Sequence, residues 1–440
     1  MTRFILWTYQ LLLTLLMPLV LLWWAVAAFF RPSYREGWKE RLGMVPRAPE
    51  STVWIHGASL GEIRAATPLI RALQERSIPL RVTATSPAGR REARNLVNSG
   101  GEAHLMPLDH FVPLSLTFRA ARPSVLVIAE TELWPGLLWA AHTRHVPIII
   151  VSGRISDKTF PNYFKFRTPL GMLLKLVSTI QAQAPVDAER YLLLGAEEGR
   201  VFVGGNMKFD LPPPDGADAV AVSLRRAMAG GWRVFVGGSV HPGEASVVLE
   251  AAQKVTALGL PVGLVLAPRH LEKIPEIERE LSEQGGKTIY WSNLAKPLEA
   301  SIIKAFTEGA VIVVDRVGLL ARLYGGAQAA FVGGSLVPVG GHNLLEPLRW
   351  GVPVLFGPYM TNSPDIREEV EKKGLGSLVT NADSLAEALT AYLKDEKLRK
   401  RIKKEAGSFF EGNRGALAMA LEAIMAARTA AWEADHRDVS

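Results

Sequence analysis

Two short segments put carboxylates at the point where a strand-like run gives way to a helical pattern. The first is His56-Gly-Ala-Ser59-Leu-Gly61-Glu62. A carboxylate fixed there, at the mouth of a sheet, can take a proton from a hydroxyl as a general base. The same spacing, Ser59-x-x-Glu62, is also a capping box that closes a helix N-terminus, and this segment alone does not choose between the two. The second is Glu130-Thr-Glu132-Leu-Trp-Pro135. Carboxylates two residues apart do not share a helix face. In a loop, one of them can face a cleft and the other solvent. A solvated loop with Pro135 opening a helix is the plainer reading.

The second half of the chain carries glycine-rich turns. Gly237-Gly238-Ser239-Val-His241-Pro-Gly243-Glu244 joins a strand to a helix start. Free backbone N–H groups in such a turn favour an anion, although a simple tight turn fits equally well. Ala267-Pro-Arg269-His270 ends another strand, and an arginine there can fork onto a phosphate or carboxylate. The longest such segment runs from Gly333 through Gly340, Gly341, His342 and Asn343 to Glu346 and Pro347. Asn343-x-x-Glu346 can cap a helix. It can also serve a nucleotide, with loop amides on phosphate and the carboxylate on ribose. Neither a Walker A loop nor a G-x-G-x-x-G fingerprint is present. The absence of an Asp-x-Asp pair argues against a donor held through a divalent metal, and no motif calls for a cofactor.

These segments need strands and helices to hold them. β-branched runs at Val53–His56, Leu80–Ala84, Val125–Ala129, Pro147–Val151, Ile180–Ala184 and Val201–Val203 read as strands. Helical patterns at Glu62–Arg76, Gly89–Asn98 and Gly136–His145 lie between them. The alternation predicts a parallel sheet covered by helices. Pro212-Pro213-Pro214 interrupts it, since consecutive prolines continue neither a helix nor a central strand. The alternation then resumes at Arg233–Val236, Val262–Leu266, Thr288–Trp291, Val311–Val314, Ala330–Val332 and Pro353–Phe356, with helices at Glu244–Leu258 and Pro275–Gln284. From Ser384 the pattern is helical. A Val/Ala-Phe-Val-Gly-Gly pattern recurs at 201–205, 234–238 and 330–334. In open α/β sheets, ligands bind at such strand ends.

Phe4 to Phe30 carries no charge and is almost wholly apolar. That length suffices to cross a bilayer. Ala25-Val26-Ala27 resembles a signal cleavage site. The long apolar run and the basic flank of Arg31, Arg35, Lys39, Arg41 and Arg47 favour an uncleaved, single-pass anchor with the following domain on the cytoplasmic side. The expected division is an anchor at 1–30, an α/β domain at 31–211, a linker at 212–216, a second α/β domain at 217–410, and a helical end at 411–440.

Composition narrows the class. The 440 residues include no cysteine, so disulfide scaffolds and thiolate catalysis are excluded. About 48% apolar content excludes a disordered chain. Lys and Arg number 50 against 43 Asp and Glu, a net +7. The basic stretch Lys394–Lys404 reads as a solvated helix face rather than a nucleic-acid patch. The surplus suits anionic ligands and an anionic membrane face.

Taken together and in order, HxxSxGE, ETELWP, GNxKFD at Gly205–Asp210, GSxHxGE, APRH and GGSLVPxGGHNxLEP resemble the transferases of 3-deoxy-D-manno-octulosonic acid (Kdo). The resemblance covers nearly the whole chain. It implies a GT-B architecture of two Rossmann-like domains around a cleft, with the C-terminal helix packing back on the first domain. It implies metal-independent, inverting transfer of Kdo from CMP-Kdo to the lipid A precursor, lipid IVA, in lipopolysaccharide biosynthesis at the inner membrane. Glu62 matches the catalytic base and Glu130 a residue needed for activity. Ser59, Gly61 and Glu132 fall on the acceptor side. Lys208, Gly238, Ser239, His241, Arg269, His270, Gly340, Gly341, Asn343 and Glu346 fall on the donor side. Gly136 departs from the family pattern, which has Asn after its Leu-Trp-Pro. A GT-B enzyme using a UDP-sugar and a secreted two-lobed solute-binding protein are the rival readings.

Overall fold

The computed structural model describes residues 2–30, 35–98, 100–210 and 218–437. The linker expected at 212–216 lies outside them. The chain forms two compact units, Met1–Leu211 with Asn413–Ser440, and Pro212–Gly412.

The first unit is built on a seven-stranded sheet of β1 (Thr52–Gly57), β2 (Leu80–Ala84), β3 (Gly101–Leu105), β4 (Pro123–Ala129), β5 (Ile148–Gly153), β6 (Thr179–Ala182) and β7 (Val201–Val203). Its order is β3-β2-β1-β4-β5-β6-β7, with every pair parallel. The central strands carry apolar residues on both faces because helices cover both. Val53, Trp54 and Ile55 are all buried, as are Leu126, Val127 and Ile128. In the second unit β8 (Arg233–Val240), β9 (Val262–Pro268), β10 (Lys287–Tyr290), β11 (Ala310–Val313), β12 (Ala329–Val332), β13 (Val354–Phe356) and β14 (Gly376–Leu378) form another parallel sheet. Its order is β10-β11-β9-β8-β12-β13-β14.

Two strands escape the sequence pattern. β3 reads GEAHL and β14 reads GSL, and each lies at a sheet edge. Edge strands tolerate charge and short length, so the apolar signal fades there. The single helix expected over Glu62–Arg76 is two, α2 (Leu60–Ala65) and a second at Thr67–Glu75. Pro68 opens the second, where its missing N–H costs nothing.

The helices that matter for the site are α1 (Thr2–Phe30), α2, α3 (Pro135–His142), α4 (Ala245–Ala257), α5 (Leu345–Leu348) and α6 (Ala416–Arg437). Within α1, Ile5–Trp24 is long and apolar enough to cross a membrane by length and composition. Leu6 is buried among residues of the first unit, whereas Leu15, Leu19, Leu22, Phe29 and Phe30 stand exposed.

The end of the chain belongs to the first unit. Ala416, Ala420 and Ile424 of α6 join the core made by Val125, Val127 and Ile149. Asp210 caps that helix, accepting from Gly415 N and Leu417 N at 2.7 Å each. Gln181 Nε2 donates to Ala416 O at 2.7 Å. Asp210→Ala leaves two amides without their acceptor, and the expected cost is about 1–2 kcal/mol. Hydrogen exchange checks this. The amides from Ala416 onward should lose protection before those of β1 and β4.

Candidate active site

β1 delivers the first carboxylate. At its carboxyl end the chain turns through Ala58 and Ser59 into α2. Ser59 Oγ accepts from Glu62 N at 3.2 Å and donates to Glu62 Oε1 at 3.0 Å. Ala58 N donates to Glu62 Oε2 at 2.5 Å. Ser59 therefore serves as the N-cap, and these bonds together fix the carboxylate in position. Burial raises the Glu62 pKa, the Ala58 N–H opposes that, and the Glu130 charge adds to it. His56 beneath it is fully buried beside Thr83 Oγ1 at 3.0 Å, and burial pushes its pKa down to about 4. It serves as neutral packing.

β4 delivers the second and third. Glu130 has φ +60°, in the left-handed region that non-glycine residues seldom adopt. Its N–H donates to Val151 O of β5 at 2.9 Å, and Lys208 Nζ lies 3.7 Å from its carboxylate. Lys208, grouped with the donor side by resemblance, thus stands in the first unit. Glu132 accepts from Trp134 Nε1 at 2.8 Å. Burial, then repulsion from Glu62, pushes its pKa up to about 7. Glu62, Glu130 and Glu132 line one open pocket of about 270 Å³ with Arg154, Ser156 and Tyr163. Gly61 lies on the exposed side of the same turn.

Arg154 and Tyr163 were not singled out from sequence. The signal for Arg154 is its place just past the end of β5, beside the ends of β4 and β6. Thr131 binds that turn, donating to Arg154 O at 2.6 Å and accepting from Arg154 N at 3.1 Å. The loop of Glu130 and Glu132 is held from the other end too. Asp109 accepts from Gly136 N at 2.8 Å and Leu137 N at 2.7 Å, capping α3. A Cβ at position 136 would lie 2.5 Å from Asp109 O, so glycine is what this approach allows.

In the second unit β8 and β12 are neighbours, and their Gly-Gly-Ser turns lie side by side. Gly333 N donates to Gly238 O at 2.8 Å. Gly238 is closed off, since a Cβ there would meet Tyr324 Oη at 1.9 Å. Ser239 takes φ +55°. His241 stacks on His342, with ring centroids 5.2 Å apart, and meets His270 edge-on at 5.7 Å. Burial lowers the His241 pKa, and nearby His270 and Arg269 lower it further. Arg269 is anchored by its own N–H on Val240 O at 3.0 Å. Gly340 and Gly341 are left-handed, and Asn362 Nδ2 donates to Gly341 O at 3.0 Å. Asn343 Oδ1 accepts from Leu345 N at 3.0 Å at the start of α5, and its amide reaches Glu346 at 3.4 Å.

One expectation needs correcting. The amides of Gly334, Ser335 and Leu336 are not open to a phosphate. They donate to the Glu244 carboxylate at 2.8, 3.0 and 2.9 Å, and His241 N joins them at 2.9 Å. Glu244, fully buried before α4, therefore ties the His241 turn to the long glycine-rich loop. Burial raises its pKa and the four N–H donors oppose that. Glu244→Ala leaves four amides without an acceptor. The expected loss is about 3 kcal/mol or more, read as a lowered unfolding midpoint in urea.

Two family models match the chain. One, described as 3-Deoxy-D-manno-octulosonic-acid transferase (kdotransferase), matches residues 36–211. The other, glycosyl transferases group 1, matches residues 291–409. A 3-deoxy-D-manno-octulosonic acid transferase of Haemophilus influenzae is 32% identical, covering 94% of this chain and 97% of its own. One from Aquifex aeolicus is 31% identical, covering 82% of this chain and 92% of its own. A solved glycosyltransferase from Rickettsia africae covers 86% of this chain and 98% of its own with a TM-score of 0.52. At 13% identity that likeness concerns the fold alone. Two parallel seven-stranded sheets, a transferase match on each half and relatives that align from end to end make this chain a GT-B glycosyltransferase that belongs to the Kdo transferase family.

Proposed function

We propose that the protein transfers Kdo from CMP-Kdo to the lipid A precursor, lipid IVA, with inversion and without a metal. The observation that carries this reading is Glu62, rigidly held by its own turn and facing an open pocket with Glu130, Glu132 and Arg154. Glu62 takes the proton of the acceptor hydroxyl as that oxygen attacks the anomeric carbon. The bond from that carbon to the phosphate breaks, and cytidine monophosphate leaves with the electron pair. Arg269, His241 and His270 in the second unit supply cations and donors for the phosphate and the sugar acid. Asn343 and Glu346 supply polar groups for the nucleoside. Glu130, paired with Lys208, holds the pocket's charge in place. Glu132 is half-protonated near neutral pH, which relieves repulsion on the base. The proposed place of action is the cytoplasmic face of the inner membrane, with α1 as the anchor.

Two experiments test the roles. Glu62→Gln preserves the turn's shape and should abolish turnover of CMP-Kdo with lipid IVA, while the unfolding midpoint falls by no more than the equivalent of about 1 kcal/mol. Full turnover by that variant would remove Glu62 as the base. Glu130→Gln removes the negative charge whose repulsion raises the Glu62 pKa. The Glu62 carboxylate then ionises more readily, so the acid limb of the kcat/KM profile should move to lower pH. An unmoved limb means the two groups are not coupled.

A further inference from the structure

The way α1 is fastened bears on how the chain meets a membrane. Its first half is bonded to the first unit. Tyr9 Oη donates to Asp109 Oδ2 at 2.9 Å, and Gln10 Nε2 donates to Asp109 O at 3.2 Å. Phe111 N donates to Gln10 Oε1 at 3.0 Å, and Thr14 Oγ1 lies 3.0 Å from His110 Nε2. The chain that follows α1 returns to the same place. Glu36 pairs with Arg90 at 3.3 Å, and Glu40 accepts from Leu105 N at 2.6 Å. Leu108 N donates to Arg41 O at 2.8 Å, one residue before the Asp109 that holds Tyr9.

These attachments are incompatible with a full crossing. If Ile5–Trp24 filled the hydrocarbon, Tyr9, Gln10 and Thr14 would lie inside it, and the polar Asp109 and His110 of the globular unit would have to lie there with them. The far end is limited as well. Phe30 stands six residues from Glu36, a reach of roughly 20 Å at full extension. A bilayer core is about 30 Å thick. Phe30 therefore stays within one leaflet's depth, or little more, of the unit that holds Glu36. The surface around this root is apolar too. Trp38, Met44, Phe111 and Val112 are all exposed there, and Lys39 Nζ sits 5.7 Å from the Trp38 ring. Aromatic and basic groups together suit the headgroup level.

We propose that α1 is a same-side anchor. It sinks its exposed apolar face into one leaflet and returns, so that both chain termini stay on the side of the catalytic units. The occupant of the apolar face is a phospholipid leaflet. This replaces the single pass expected from hydropathy, and it rests on the membrane placement proposed above. It also ties the anchor to the site. Asp109 binds Tyr9 of α1 and caps α3, which starts directly after the Glu130–Glu132 loop.

The absence of native cysteine makes the test clean. Thr2→Cys and Ala430→Cys variants of the full chain would be expressed in a Gram-negative host. A membrane-impermeant maleimide would then be applied to intact spheroplasts and to lysed ones. The expected result is that neither site labels in intact spheroplasts and both label after lysis. Labelling of Thr2→Cys alone in intact spheroplasts would show that α1 crosses, and would overturn the proposal. Labelling of both would support the same-side anchor and overturn only the cytoplasmic placement. Recovery of the full chain as a soluble dimer that does not bind vesicles of phosphatidylethanolamine and phosphatidylglycerol would assign the apolar face to a second copy and overturn the proposal. Turnover with CMP-Kdo, assayed separately, does not depend on either label.

Discussion

Parallel strand pairing is the constraint from which the site follows. When neighbouring strands run the same way, every strand-to-helix turn emerges on the same edge. Glu62 follows β1, Glu130 and Glu132 follow β4, and Arg154 follows β5. These residues are far apart in sequence but meet because β1, β4 and β5 are consecutive in the sheet. The second sheet repeats the device. β8, β9 and β12 are neighbours there, and their ends carry Ser239, His241, Arg269 and the long glycine-rich loop. Small, flexible residues at the turns let the edges stay close-packed without closing the pocket.

Each unit also contains a Gly-Glu pair at a strand-to-helix turn, with different outcomes. Glu62 keeps its hydrogen bonds within its own turn and leaves part of its carboxylate facing the pocket. Glu244 accepts four amides, three of them from a loop some ninety residues away, and none of it reaches solvent. Burial, not local sequence, separates the two. A carboxylate that must react needs access and an adjustable pKa. A carboxylate that must brace needs every lone pair occupied.

That difference marks how far the sequence could be read. The strand alternation and the turns bearing Glu62, Glu130 and Arg269 were visible, because buried parallel strands are continuous apolar runs. β3 and β14 were not, because edge strands need little apolar surface. Ser59-x-x-Glu62 could be read as a cap or as a base, and the geometry shows the N-cap bonds holding the carboxylate beside the pocket, as the proposed base requires. Lys208 beside Glu130 and the bracing role of Glu244 depend on contacts between distant segments. No local spacing encodes those. Helix α1 shows the same limit. Hydropathy reported its length and composition, while Gln10 and Thr14 read as minor interruptions and Tyr9 as an interfacial aromatic, with no hint of their partners at 109–111.

The close approach of Asp109 to Gly136 makes several parts of the first unit depend on one missing side chain. A side chain at 136 would occupy the space that the 109 backbone now fills. An asparagine there becomes acceptable only if the 109–111 segment first moves away. That movement would also loosen its hold on Tyr9 and Gln10. A single added carbon at 136 would therefore be felt in three places at once: the 109–111 segment, the footing of α1 on it and the start of α3.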